Sequence, residues 1–283
     1  MKFDDQKWDT VIQAKQNPFS VNLKQIMEYK DLVFLLVKRD IATTYKQTIL
    51  GPLWYLIQPI CTTIMCMVVF RHVARLGTDG VPPILFYSAG TVMWTFFSSL
   101  LTGEARVFSV NQDIFGKVYF PRLTVPIAVF FGEIIKFLIQ FSLFALIFIG
   151  YVMTGYGEYV SLRLIFIPVI IFWIGVQACG LGLVVSAITT RYRDLAKALS
   201  FFLSLFMYVT PVAYPLSEVS EKYRIVFAMN PVTAAMECFR KLCFGVGEVS
   251  VSLVSYSIFC TLLFLFAGVI LFNKNEKVFV DVI

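Results

Sequence analysis

From Leu164 to Thr190 the chain reads LIFIPVIIFWIGVQACGLGLVVSAITT, with no Asp, Glu, Lys or Arg. As a helix rising 1.5 Å per residue, this stretch reaches about 40 Å, more than the ~30 Å of a bilayer's hydrocarbon core. Five more charge-free runs lie on either side of it: Gln47–Phe70, Gly80–Gly103, Phe137–Gly157, Ala198–Ser217 and Val249–Asn273. Each is close to the ~20 residues that a spanning helix needs. The run at Phe137 starts earlier, near Pro126, and takes Glu133 and Lys136 inside it. Membrane barrels are built from short alternating strands, and solid runs of this length do not fit them. The sequence predicts an all-α integral membrane protein with six transmembrane helices.

Composition agrees. Of 283 residues, 58% are hydrophobic and 15% charged, and the mean hydropathy is +0.78. A soluble domain of this size cannot hide so much apolar surface. The net charge of +6 does not point to nucleic acid, because the basic residues form no single face. They sit in short stretches between the apolar runs, where they set topology. With the N-terminus in the cytoplasm, the segments on that side hold 16 Lys and Arg and the opposite segments hold 7. Both termini are therefore expected inside. The first ~50 residues have no n-region followed by an h-region, so no cleavable signal peptide is expected.

Two segments depart from the pattern of spans. In residues 1–48, apolar side chains recur at helical spacing as Leu23, Ile26, Met27, Val33, Phe34, Val37 and Ile41. Lys24, Glu28, Lys30, Asp31, Lys38 and Asp40 fall elsewhere on the wheel. This predicts an amphipathic interfacial helix, serving either as a membrane anchor or as a docking element for a cytoplasmic partner. The remainder, 49–283, forms the six-span domain. Within it, about 216–246 is expected to fold as short re-entrant or interfacial helices on the outer side. Asn230-Pro231 supplies a cap and a first-turn proline, and a helix from there to about Phe244, before Gly245, is too short to cross.

The chemistry of the chain is sparse. No GxxxxGK[ST] loop is present, so ATP is not handled here by that device. His72 is the only histidine, which leaves no Ser/His/Asp set. No metal spacing joins the six cysteines, and Cys238 and Cys243 are read as small apolar residues rather than a disulfide. Glu133 and Lys136 stand at i, i+3 and can pair inside a span, as a structural pair or a proton relay. The fourth run has a face of small residues, Gly175, Cys179, Gly182 and Ser186, which suits close helix packing. Pro52 suits the start of the first span, and Pro59 loosens it. Trp54 and Tyr55 stand where an interfacial aromatic belt belongs, or where a conduit wall begins. Asn111-Gln112-Asp113-Ile114-Phe115-Gly116-Lys117 and Arg191-Tyr192-Arg193-Asp194 are short cytoplasmic loops, read as topology signals or as levers for a soluble motor.

At these residues the sequence resembles the type-2 ABC exporter permeases of the O-antigen and teichoic acid (polysaccharide) export family. The likeness covers nearly the whole chain. It rests on Lys38-Arg39-Asp40 with Tyr45-Lys46 and Leu50-Gly51-Pro52-Leu53-Trp54, on Lys117-Val118-Tyr119-Phe120-Pro121-Arg122 with Pro126, and on Arg191-Tyr192-Arg193-Asp194-Leu195. Thr210-Pro211-Val212-Ala213-Tyr214-Pro215 and Asn230-Pro231 leading to Phe239-Arg240 complete it. The family usually has Ser where Thr210 stands.

The resemblance implies a multi-pass permease of the bacterial inner membrane that forms a homodimer over two copies of a cytoplasmic ABC ATPase. ATP and Mg would belong to that partner, with no cofactor or metal in this chain. The cargo would be a polyprenyl-diphosphate-linked glycan such as O-antigen, moved through a membrane-lipid environment. Lys38, Arg39 and Asp40 would belong to the docking helix, and Asn111, Asp113 and Lys117 to the coupling loop. Arg191, Arg193 and Asp194 would stand at the inner mouth. Trp54, Tyr55, Trp94 and Phe97 would line the conduit by apolar stacking on sugar rings. Pro211, Tyr214, Asn230 and Arg240 would form the outer gate. Three rival readings remain: a type-2 exporter of a small hydrophobic compound, an ion-coupled transporter dependent on Glu133, and a membrane-embedded lipid-sugar transferase.

Overall fold

A computed structural model describes residues 23–46, 50–115, 120–155, 162–189 and 194–282. Among the described residues the fold is all helical, with no strand. Five helices are long and apolar enough to cross a membrane: Trp54–Val73, Pro83–Ala105, Thr124–Met153, Leu162–Thr189 and Val251–Lys274. The sixth expected span is shorter. Ala198–Ser217 divides into the end of a 16-residue helix, Asp194–Val209, and a turn at Thr210–Tyr214. That helix is about 24 Å long, roughly one turn less than the hydrocarbon thickness. The six expected runs thus comprise five long helices and one shorter one.

In chain order the helices are α1 (Leu23–Glu28), α2 (Lys30–Tyr45), α3 (Trp54–Cys66, continued as a π-helix by Met67–Val73), α4 (Pro83–Ala105), α5 (Val107–Val110) and α6 (Gln112–Phe115). They are followed by α7 (Thr124–Met153), α8 (Ile167–Thr189), α9 (Asp194–Val209), α10 (Glu221–Ala228), α11 (Pro231–Phe244) and α12 (Val251–Val282).

α4 is the axis of the bundle. It packs against α8, α7 and α3, and most of its side chains are buried. α8 lies between α4 and α12, and glycines make both approaches close. A Cβ on Gly182 would stand 2.4 Å from Glu104 Cβ and 3.0 Å from the Leu101 carbonyl oxygen on α4. Gly175 meets the rings of Phe130 and Phe96. The small-residue face foreseen on the fourth run is therefore a packing surface for α4 and α7.

A column of phenylalanines ties α7 to its neighbours. Phe137 stacks on Phe96 of α4 with centroids 4.6 Å apart. Phe137, Phe141, Phe144 and Phe148 follow one another along α7 at 5.4 to 6.1 Å. Phe144 then reaches Phe239 of α11 at 5.7 Å. Aromatic pairs at such distances add about 0.5–1.5 kcal/mol each beyond their buried area.

The N-terminal segment is two helices that break at Tyr29, and part of its apolar set is buried against protein while part is left exposed. Ile26, Leu36 and Val37 are buried, whereas Met27 and Phe34 are 74% and 71% exposed. Leu36 and Val37 join Phe108, Phe115, Phe120 and Phe272 in a second apolar cluster at this end of the bundle. α2 thus packs on protein with one face and leaves Phe34, Leu35, Lys30, Asp31 and Lys38 exposed on the other.

Residues 216–246 fold at the opposite end as two short helices, as expected. Asn230 caps α11, its side chain accepting from Val232 N at 3.0 Å, and Pro231 takes the first turn. Gly245 ends the helix with φ of 72°. α11 is inserted among α4, α8 and α12.

Candidate functional site

A cleft of about 900 Å³ runs along α4. Tyr55 and Gln58 of α3, Glu133, Lys136 and Gln140 of α7, and Ser200, Ser204 and Tyr208 of α9 form its walls. Its floor is a polar stripe on α4, Thr95, Ser98, Ser99 and Thr102, with Trp94 beside it. The stripe arises from spacing: residues three and four apart share a helix face.

Three of these four hydroxyls are held by their own helix. Thr95 donates to the Thr91 carbonyl at 2.7 Å, Ser98 to Thr95 at 3.2 Å and Thr102 to Ser98 at 2.7 Å. Across the cleft, Ser204 donates to Ser200 at 2.9 Å. Such back-bonding satisfies the hydroxyl proton in an apolar medium and leaves oxygen lone pairs facing the cleft. Glu133 and Lys136 pair in place at 2.6 Å, and Lys136 Nζ lies 6.0 Å from the centre of the Tyr55 ring.

One end of the cleft opens at Asp40, Arg106 and Asn111. Arg39 joins the two predicted coupling segments there. Its guanidinium donates to Asp40 Oδ1 and to Asn111 Oδ1, at 2.7 and 2.8 Å. Asn111 is buried and donates in turn to the Val107 carbonyl at 3.0 Å. Lys38, Asp113 and Asp194 are exposed nearby in sequence but take no part in this junction. Lys117, Arg191 and Arg193 lie outside the described residues. Replacing Arg39 with Ala should loosen α2 from the loop at Asn111. We expect limited proteolysis of membranes to cut between α2 and α3 at least several-fold faster in this variant, with Asn111→Ala behaving alike.

At the other end the predicted gate residues do meet. Arg240 and Glu237 on α11 form a buried ion pair at 3.0 Å, with side chains 2% and 1% exposed. Arg240 also donates to the carbonyls of Val212 at 2.8 Å and Tyr214 at 3.3 Å. Its guanidinium sits 4.1 Å from the centre of the Phe86 ring on α4. Asn230 Nδ2 donates to Thr210 Oγ1 at 2.8 Å. The Tyr214 hydroxyl donates to the Tyr208 carbonyl at 2.5 Å, and Tyr208 lines the cleft. The Thr210–Tyr214 turn, carrying Pro211, is thereby latched to α4, α9 and α11. Gly90 leaves room for it: a Cβ there would lie 2.2 Å from the Val212 carbonyl oxygen.

Of the expected conduit aromatics, Tyr55 and Trp94 line the cleft. Trp54 is 53% exposed and is not among the residues that line it, and Phe97 is fully buried in the core on the packed side of α4. Several cleft residues carried no signal in the charge pattern. Gln58, Gln140 and the hydroxyls are uncharged. Glu237 stands three residues before Arg240, the same spacing that identified Glu133 and Lys136. Glu104 was also missed. It is fully buried, with one oxygen facing the Cys179 thiol at 3.7 Å and the other without a hydrogen-bond partner among the described residues.

Residues 31–244 match the model of the ABC-2 type transporter family. This chain belongs to that family. The match runs from α2 to the last turn of α11 and so takes in the mouth, the cleft and the latch. The family member is 26% identical over 266 residues to the O-antigen export system permease protein RfbA of Klebsiella pneumoniae, covering 93% of this chain and 100% of that protein. It is 26% identical over 222 residues to the RfbA of Myxococcus xanthus, covering 78% and 83%. The polysialic acid transport protein KpsM of Escherichia coli is 23% identical over 252 residues, with 88% and 95% covered. As an ABC-2 family chain of long apolar helices, the protein is a multi-pass inner-membrane permease subunit.

Proposed function

We propose that this chain is the membrane permease of an ABC exporter that carries a lipid-linked polysaccharide, such as O-antigen, out of the cytoplasm. A separate ATPase supplies the energy. The observation that carries the reading is the cleft: a long groove in which hydroxyls and amides alternate with aliphatic side chains and three aromatic residues, Tyr55, Trp94 and Tyr208, in a chain related to O-antigen export permeases. Sugars offer many hydroxyl donors, and their C–H faces pack on aromatic rings.

In this reading the permease works as a homodimer whose two clefts face one another, with both termini cytoplasmic. The docked ATPase pair presses on α2 and the Asn111 loop. Arg39 passes that push to α4, a 23-residue helix about 35 Å long. At its far end α4 carries Phe86 and Gly90 under the Thr210–Tyr214 turn. Rigid-body motion of α4 then bears on the latch, and the polymer passes when the turn moves.

Deleting the gene tests the reading. Surface polysaccharide should disappear while lipid-linked polymer accumulates inside the cell, and an unchanged surface would overturn it. Within the cleft, Tyr55→Ala should reduce export about 2- to 10-fold, the equivalent of one lost aromatic contact of 0.5–1.5 kcal/mol. Trp54→Ala should leave export near normal, and quantified surface polymer from the two variants decides between them.

A further inference from the structure

We propose that the polymer carried along the cleft is uncharged over its repeating unit, and that Glu133 keeps the cleft suited to it. The inference rests on the export reading above and narrows its cargo.

Among the described residues, the charged groups lining the cleft are Asp40, Arg106, Glu133 and Lys136. Three of them are compensated. Asp40 is bonded to Arg39 at 2.7 Å, and Glu133 to Lys136 at 2.6 Å. Glu133 and Lys136 stand one turn apart on the same helix, so their pairing survives any movement of α7 as a body. The Tyr55 ring lies against the same ammonium group. Arg106 has no ion-pair partner among the described residues, and it stands at the mouth rather than inside.

The rest of the wall points the same way. Thr95, Ser98, Thr102 and Ser204 spend their protons on helix carbonyls and turn lone pairs into the cleft. Lone pairs accept from sugar hydroxyls and repel carboxylate or phosphate oxygens. Anion-selective paths line themselves with uncompensated Arg and Lys. A polyanion drawn along the Thr95–Thr102 stripe would meet carbonyl-bonded hydroxyls and a neutralised lysine, with only the neutral donors of Gln58 and Gln140 to offset the desolvation of each charge. A neutral glycan meets partners for its hydroxyls. The lone Arg106 at the mouth is a place for the anionic end of the cargo, which enters once per chain.

Two measurements test this. The first is the sugar composition of polymer accumulated in cells lacking the gene. Neutral sugars alone, apart from the diphosphate at the lipid end, are expected. A carboxylate or phosphate on every repeat overturns the inference and leaves the export reading intact. The absence of any accumulated polymer overturns the export reading and this inference with it. The second uses purified protein in nanodiscs with fluorescent oligosialic acid as the probe. The native protein should show no saturable binding. Glu133→Gln, which frees the charge of Lys136, should bind the probe at least tenfold more tightly. Equal binding by both proteins, or none by the variant, removes Glu133 as the neutralising group.

Discussion

Replacing Arg240 with Met should lower the stability of the folded protein by about 3–5 kcal/mol, the usual cost of leaving one member of a buried ion pair alone. Glu237 would be left with 1% of its side chain exposed and its counter-ion gone. The carbonyls of Val212 and Tyr214 would each lose a charged donor, and Phe86 the cation above its ring. In detergent this should appear as a fall in Tm of about 10 °C. Arg240→Lys keeps the charge, but a single ammonium cannot span Glu237, Val212 and Tyr214 together. Its Tm should fall between the two. The backbone amide of Glu248, which donates to Glu237 Oε2 at 2.9 Å, holds the other side of the carboxylate and keeps it from swinging out to water. An unchanged Tm in the Met variant would mean that the latch contributes little to holding α11 in place.

Gly180→Val should prevent recovery of folded protein altogether. A Cβ on Gly180 would lie 2.6 Å from the Leu265 nitrogen and 2.9 Å from its Cα. A Cβ on Gly268 would lie 2.6 Å from the Gly180 carbonyl oxygen. These are backbone atoms, which cannot rotate away as a side chain can. α8 and α12 would have to part along their length, at a cost well above the ~1–3 kcal/mol of ordinary overpacking. Gly150 is the control, because no atom stands within 4 Å of the Cβ site there. Size-exclusion profiles of a fluorescent fusion should show a normal peak for Gly150→Val and none for Gly180→Val. A normal peak for Gly180→Val would contradict the packing described for α8 and α12.

The spans were legible because charge-free length is a direct consequence of the bilayer's thickness. The boundary of α11 was legible for a different reason. Asn230, Pro231 and Gly245 are local signals whose meaning does not depend on tertiary context. The short helix Asp194–Val209 was misread because the Thr210–Tyr214 turn is itself uncharged, and hydropathy does not distinguish a buried turn from a continuing span. The buried face of α2 was read only in part for a related reason. Exposed Phe34 and Met27 are apolar, as buried Leu36 and Val37 are, and the position of Phe108 and Phe272 decides which face turns inward.

The site was read in part. Arg39 with Asn111, and Arg240 with Asn230, were given by the resemblance to the exporter permeases, and each pair lies at one end of the bundle. The role of Gly180 was hidden. Its use is the approach of a helix eighty residues further on, which spacing along one helix does not reveal. Phe97 was assigned to the conduit by residue type, and its two-residue offset from Thr95 and Ser99 places it on the packed side of α4.

Purification of the chain from membranes in mild detergent tests the central claim most directly, with the copurifying proteins identified and ATP hydrolysis assayed. The account predicts a partner carrying a GxxxxGK[ST] loop, in equal amount, whose hydrolysis is lost when that Lys is replaced. A chain that is folded, active in export and purified alone from cells lacking any such partner would contradict it.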